Sequence, residues 1–256
     1  MMTAMPLQYD SLKSSAYYLG GSDAACLVPS PGPLAASLQL LDPATATRDL
    51  HSTLCMLASL SSDAVNCYYL QQAGVVRAVC TLLQQRRLDE EPTHNACRIL
   101  AGQARNCNML ELARCNAAAT LVMLLHGDND DEDVTAASED EDECCGVSTR
   151  VATIIATTLA DMAYEQLGKR LVVQAGGIQP LLHLASLSPS VACRTAALLA
   201  LRRLASDTPC AEVMLQGGAR EQVVDIVAGT ASRECKEGAL SLLNSLEKQG
   251  GLLRSA

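Results

Sequence analysis

Residues 175–207 read AGGIQPLLHLASLSPSVACRTAALLALRRLASD. The glycine pair makes a break, an amphipathic helix follows, and a second helix carries Ala197, Leu201 and Leu204 at i, i+4 and i+7. That spacing places three apolar side chains on one helical face. A lone helix pair of this kind has nothing to bury its stripe against, so the stretch asks for neighbours of the same design.

The chain supplies them. PGPLAASLQLL (31–41), AGVVRAVCTLL (73–83), CNAAATLVMLL (115–125) and, more weakly, QGGAREQVVDI (216–226) repeat the plan of AGGIQPLLHLA (175–185). With Gly32, Gly74, Asn116, Gly176 and Gly217 as equivalent anchors, the intervals are 42, 42, 60 and 41 residues. Removing an insertion of about 18 residues from the long interval restores a period of ~40–47 residues, the range of two- and three-helix repeats. Gly or Asn suits a sharp turn between helices, where a positive φ is often needed. The helix after each anchored one repeats as well, in Thr53/Leu57/Leu60, Ala96/Leu100/Gln103, Ile155/Leu159/Met162, Ala197/Leu201/Leu204 and Ala239/Leu243/Leu246. Gln103 is the exception to an apolar end. A shorter segment ahead of each anchor starts at a capping residue, as in SDAAC (22–26), SDAVNC (62–67) and SDTPC (206–210).

Three helices per repeat, a glycine break before the middle one and A-x-x-x-L-x-x-L on the third together resemble the armadillo repeat family, most clearly in residues 175–207. The expected fold is all-α, a right-handed superhelical solenoid of about five three-helix armadillo-like repeats. Its expected divisions are an N-terminal partial cap helix at 1–22, repeats at 23–62, 63–105, 106–165, 166–206 and 207–249, and a tail at 250–256, with a disordered insert at 127–148 in the third repeat.

The resemblance implies that the third helices line a concave groove, which in β-catenin and importin-α binds extended peptides. Those proteins carry an Asn at successive third helices, and importin-α a Trp one turn earlier. The matching positions here are Ser59, Gly102, Asp161, Arg203 and Ser245, preceded by Cys55, Arg98, Thr157, Leu199 and Ser241. There is no Asn ladder, and the chain contains no Trp. Importin-type recognition, which packs indoles on lysine stems, is thereby disfavoured. The mixed groove keeps a local basic set, Arg194, Arg202 and Arg203, with Arg98 two repeats earlier. Such arginines are either solvated helix faces or fork-shaped donors to a carboxylate-bearing partner.

Charge is concentrated in one segment. The net −9 includes ten acidic and no basic residues between Gly127 and Gly146, leaving the rest of the chain near neutrality. Ten carboxylates in residues 128–143 repel one another and offer no apolar face, so this loop is expected to be disordered, either as a solvated insertion or as a cover for the basic set. Ser138, in SEDEDE, is placed for an acidophilic kinase and is the candidate regulatory residue.

The remaining composition narrows the classes. Apolar residues make up 49% of the chain, mostly Ala, Leu and Val with no Phe, which suits helices packed closely on small residues. No Lys/Arg stripe with interleaved aromatics points to nucleic acid, and no apolar run is long enough for a membrane span. Twelve cysteines scattered singly through helical patterns read as free thiols in a reducing compartment, with Cys55, Cys80, Cys97 and Cys193 buried and Cys144 and Cys145 exposed. The start MMTAMPLQYDSLKSS lacks a signal-peptide pattern, so a cytoplasmic or nuclear protein is expected. His51, His94, His126 and His183 make no metal-ligand spacing, and no phosphate loop or nucleophile elbow appears. No cofactor, metal or small-molecule substrate is expected. The leading expectation is a non-enzymatic scaffold or adaptor that binds a protein segment along the groove. A regulator of an ATPase or chaperone, of the nucleotide-exchange kind, is the alternative, and a redox or metal site at Cys144 and Cys145 a distant third.

Overall fold

The computed structural model describes residues 47–85, 88–106, 108–126, 147–230 and 232–255, with residues 16–18, 27–29, 39, 41, 143 and 144. Thirteen helices lie among these. They are α1 (Thr47–Leu60), α2 (Ala64–Gln72), α3 (Val75–Gln85), α4 (Glu90–Arg105), α5 (Met109–Arg114), α6 (Ala117–His126), α7 (Thr149–Met162), α8 (Gln166–Gln174), α9 (Ile178–Leu187), α10 (Val191–Leu204), α11 (Thr208–Gln216), α12 (Ala219–Gly229) and α13 (Arg233–Ser255). Two short antiparallel ladders accompany them: β1 (Ala16–Tyr18) with β2 (Leu27–Pro29), and β3 (Glu143–Cys144) with β4 (Val147–Ser148).

The helix starts follow from capping. Asp63 accepts the N–H groups of Val65 and Asn66 at 2.9 and 3.0 Å and opens α2, satisfying donors that a helix start leaves unpaired. Ser148 and Ser190 do the same for α7 and α10 through Val151 and Cys193. Each turn into the middle helix has one residue with positive φ: Gly74 (82°), Asn116 (54°), Gly176 (76°) and Gly218 (73°). The fifth anchor is therefore Gly218 and not Gly217, whose φ is −81°. Asn116 replaces glycine there because its short polar side chain tolerates the left-handed region.

The helices form two compact units, one through Cys115 and one from Asn116. The division falls inside the span 106–165 read from the sequence as the third repeat. In the first unit α4 packs against α1, α2, α3 and α5. In the second, α10 lies between α7 and α13 and is backed by α9, while α12 packs on α9 and α13. The apolar stripes meet at these contacts: Leu57, Ala96, Leu100, Ile155, Leu159, Met162, Ala197, Leu201, Leu204, Ala239 and Leu246 are all buried. Leu60 and Leu243 are only half-buried, and the fully buried Leu54 and Leu242 take part in the core beside them.

Three expectations change. At Ala16–Tyr18 the chain is a strand and not part of a cap helix, with Tyr17 and Tyr18 opposite Val28 and Leu27 in the ladder. Glu143–Cys144 and Val147–Ser148 pair at the end of the insert expected to be disordered, leading into the cap of α7. Cys55 is exposed, since it stands on the α1 face opposite Leu54 and Leu57, whereas Cys80, Cys97 and Cys193 are buried. Residues 127–142, with Ser138, and Cys145 lie outside the described residues, as does most of 1–46.

Candidate functional site

Six of the candidate positions of the second unit lie in pairs on three helices packed in a row, α7, α10 and α13, each pair one helical turn apart. Thr157 and Asp161, Leu199 and Arg203, and Ser241 and Ser245 are all half-buried. The Thr157 hydroxyl donates to the Thr153 carbonyl at 2.8 Å, and Ser245 to Ser241 at 3.0 Å, so both hydroxyls keep acceptor capacity towards solvent. Arg203 reaches across to α7, where its Nη1 donates to the Ala160 carbonyl at 2.5 Å and pairs with the Asp161 carboxylate at 3.2 Å. Its guanidinium also lies 5.8 Å from the ring centre of Tyr164, which is 76% exposed.

Arg203 is thus fastened by two groups of α7 and by Tyr164 in the turn that follows it. The sequence reading that grouped it with Arg194 and Arg202 as free donors missed Tyr164 and this pairing; the 42-residue spacing of Asp161 and Arg203 was the available signal. Arg202 is exposed one residue away. Arg194 stands apart, two turns earlier on α10, with its Nε–H buried. The expected basic cluster is therefore split.

Below this row, α8 and the α10–α11 turn carry a second polar set. Lys169 donates to Ser206 at 2.8 Å and Gln166 to Asp207 Oδ1. Burial would raise the Asp207 carboxyl, but hydrogen bonds from Cys210 and Gln166 and the nearby Lys169 charge more than offset it and hold the group below the usual carboxylate range. The Cys210 thiol is pushed up to about 12 by its burial and by Asp207.

In the first unit the positions differ in kind. Cys55 and Ser59 are exposed on α1, with Ser59 donating to the Cys55 carbonyl at 3.0 Å. Arg98 is half-buried and donates to Asn95 at 3.4 Å. Gly102 is buried, and a Cβ there would stand 2.3 Å from the Ser61 carbonyl oxygen. Gly102 is consequently a packing position between α4 and the end of α1, and lines no open surface.

Residues 166–206 match the family model of the armadillo/beta-catenin-like repeat. No curated protein sequence is significantly similar to the chain. Among solved structures, an engineered protein is 20% identical with a TM-score of 0.69 over 85% of this chain and 82% of that one. A designed armadillo repeat protein in complex with the peptide (KR)4 is 21% identical, with a TM-score of 0.66 over 86% and 88%. Computationally designed armadillo repeat proteins for modular peptide recognition give 22% identity and 0.66 over 86% and 89%. The fold is an armadillo-like helical solenoid.

Within that solenoid α7, α10 and α13 pack in succession and carry Asp161, Arg203 and Ser245. No helix among the described residues is long and apolar enough to cross a membrane. Nor do the described residues group three or more side chains suited to hold a metal ion.

Proposed function

We propose that the protein is a non-enzymatic scaffold that binds an extended segment of another protein along the face formed by α7, α10 and α13. The observation that carries this reading is the row of half-buried side chains, all polar but Leu199, at one-turn spacing on three adjacent helices, Thr157/Asp161, Leu199/Arg203 and Ser241/Ser245. Rigid helices hold the row, so little ordering entropy is lost when a segment docks. An extended chain presents alternating donors and acceptors, and the row answers with both: carboxylate at Asp161, hydroxyls at Thr157, Ser241 and Ser245, and guanidinium at Arg202 and Arg203. Peptide binding by designed armadillo proteins supports the class of partner.

The partner here differs from a basic peptide such as (KR)4. Asp161 is already paired with Arg203, and the adjacent exposed charge is Arg202, so the face suits a segment with an acidic group next to its α10 contact. Exposed ion pairs are worth only about 0–1 kcal/mol each and are screened by salt, so the charge selects more than it holds. The test is affinity purification of the intact chain beside two variants, Leu199→Glu/Arg202→Ala on this face and Val224→Ser on an exposed part of α12. A partner lost with the first and kept with the second is expected. A partner kept by both, or lost equally by both, removes this face as the binding surface.

A further inference from the structure

A cavity of about 850 Å³, open along one side, lies in the first unit where the end of α2, the first half of α3 and α5 meet. Arg77 of α3 and Arg114 of α5 both line it, with Gln71, Thr81 and Glu111. Arg77 is exposed, and the Arg114 side chain is 72% exposed, so both guanidiniums are open to a ligand. Glu111 is different. Its side chain is 12% exposed, Arg114 Nη1 stands 3.6 Å from its carboxylate, and the Cys115 thiol donates to it at 3.5 Å. Arg77 acts on the same thiol, opposing the burial and the Glu111 charge that push it up. Two guanidiniums from different helices thus flank the Glu111–Cys115 pair, and one positive charge is left in excess. We infer that this cavity binds a carboxylate, the side chain of an aspartate or glutamate on a partner protein.

Charge and shape select the class. A carboxylate neutralises the single excess charge, whereas a phosphate dianion would leave the cavity negative beside Glu111. A cation would face two guanidiniums. A neutral amide would forgo the charge-assisted bonds that a guanidinium makes to a carboxylate. Each guanidinium presents five donors, and the contact with Glu111 uses only part of the Arg114 set, so both arginines can reach the two oxygens of one ligand. Leu41, Ala73 and Ala78 give the ligand's methylene groups an apolar wall. Pockets for small molecules bury roughly 70–90% of the ligand, which an opening this wide does not do. A side chain carried on a partner's surface brings its own cover. All these residues precede Asn116, so the site stands or falls apart from the face formed by α7, α10 and α13.

Acetyl-Ala-Glu-Ala amide and acetyl-Ala-Gln-Ala amide differ in this charge and are titrated into the full chain with NMR detection. The glutamate peptide is expected to give saturable shifts of the Arg77 and Arg114 Nε–H signals and of the Gly74 amide. The glutamine peptide should bind about threefold more weakly or worse, and the glutamate shifts should fade as salt is raised. Arg77→Gln and Arg114→Gln, with helix content checked by circular dichroism, each weaken the glutamate peptide about two- to fivefold. Arg105→Gln, at the exposed end of α4, leaves it unchanged. Equal binding of the two peptides overturns the assignment, as does the absence of any shift, which makes the cavity a solvated one. Unchanged binding in the Arg77→Gln/Arg114→Gln double variant, or an equal loss in Arg105→Gln, overturns it too. Inorganic phosphate and acetate test class and source. Phosphate binding more tightly than the glutamate peptide overturns the carboxylate, and acetate binding as tightly as the peptide overturns the partner's side chain; weaker binding of both supports the assignment.

Discussion

Gln103 breaks an otherwise apolar stripe, and its bonding explains why the break is tolerated. Fully buried, it donates to the Cys67 carbonyl at 3.1 Å and accepts from Asn108 at 2.6 Å, joining α4 to α2 and to the start of α5. Gln103→Ala strands both partners, and denaturant unfolding should show a loss of about 1–3 kcal/mol, the cost of unmade buried hydrogen bonds. Next to it, Gly102→Ala must drive a methyl into the Ser61 backbone at 2.3 Å, a contact that no rotamer relieves. A similar loss of about 1–3 kcal/mol is expected from overpacking, and an unchanged midpoint would show that α1 and α4 can move apart freely. Neither fact was legible in the sequence. Gln103 stood out as an anomaly, but its acceptor lies 36 residues away; Gly102 fell on a ladder position by register alone, and only the packing of Ser61 takes it out of the surface.

Elements were read far more faithfully than sites, because period and caps are local. The turn anchors at Gly74, Asn116 and Gly176 and the α7 start at Thr149 follow from spacing and capping chemistry, and Gly217 was off by one because adjacent glycines are indistinguishable in sequence. The site needed knowledge of cross-helix partners such as Asp161 with Arg203, which spacing suggests only once the helices are known to be neighbours. The same helices set thiol chemistry. Burial pushes the Cys97 thiol up to about 12, and Cys210 stands at about 12, so at neutral pH roughly one part in 10^5 of each is the reactive thiolate. Alkylation of the native chain followed by mass spectrometry should label the exposed Cys55 and leave Cys97 and Cys210 unlabelled until unfolding. Rapid labelling of Cys97 would mean that α4 opens locally. Asp207, at the start of α11, makes a pH prediction. Because its folded pKa is lowered, its contribution is present above the unfolded value of about 3.9 and is lost as pH falls through the folded one. Asp207→Asn should therefore reduce stability at pH 7 and narrow its difference from the parent as the pH drops below about 4. A constant difference across that range would rule out the linkage.

At the scale of the whole molecule, repeat stacking makes stability a sum of near-neighbour terms, so the cost of a core truncation should depend only on the helices that touch it. Leu201 offers the test. It is fully buried on α10, and the helices packed on α10 are α7, α8, α9 and α13, all of which follow Asn116. Truncating it removes methyl groups at a contact shared by successive third helices, where the backbone of either neighbour cannot collapse without disturbing the next. Leu201→Ala should cost about 2–5 kcal/mol, with the upper part of that range if a cavity persists. Residues 116–256 contain every one of these neighbours, so the fragment should fold on its own, retain a helical circular dichroism spectrum, and lose the same stability on Leu201→Ala as the full chain to within about 0.5 kcal/mol. A penalty below about 0.5 kcal/mol in both would place Leu201 outside the core. A fragment that folds yet loses far less than the full chain would mean that the energetics of α10 extend beyond Asn116, and that nearest-neighbour additivity fails in this protein.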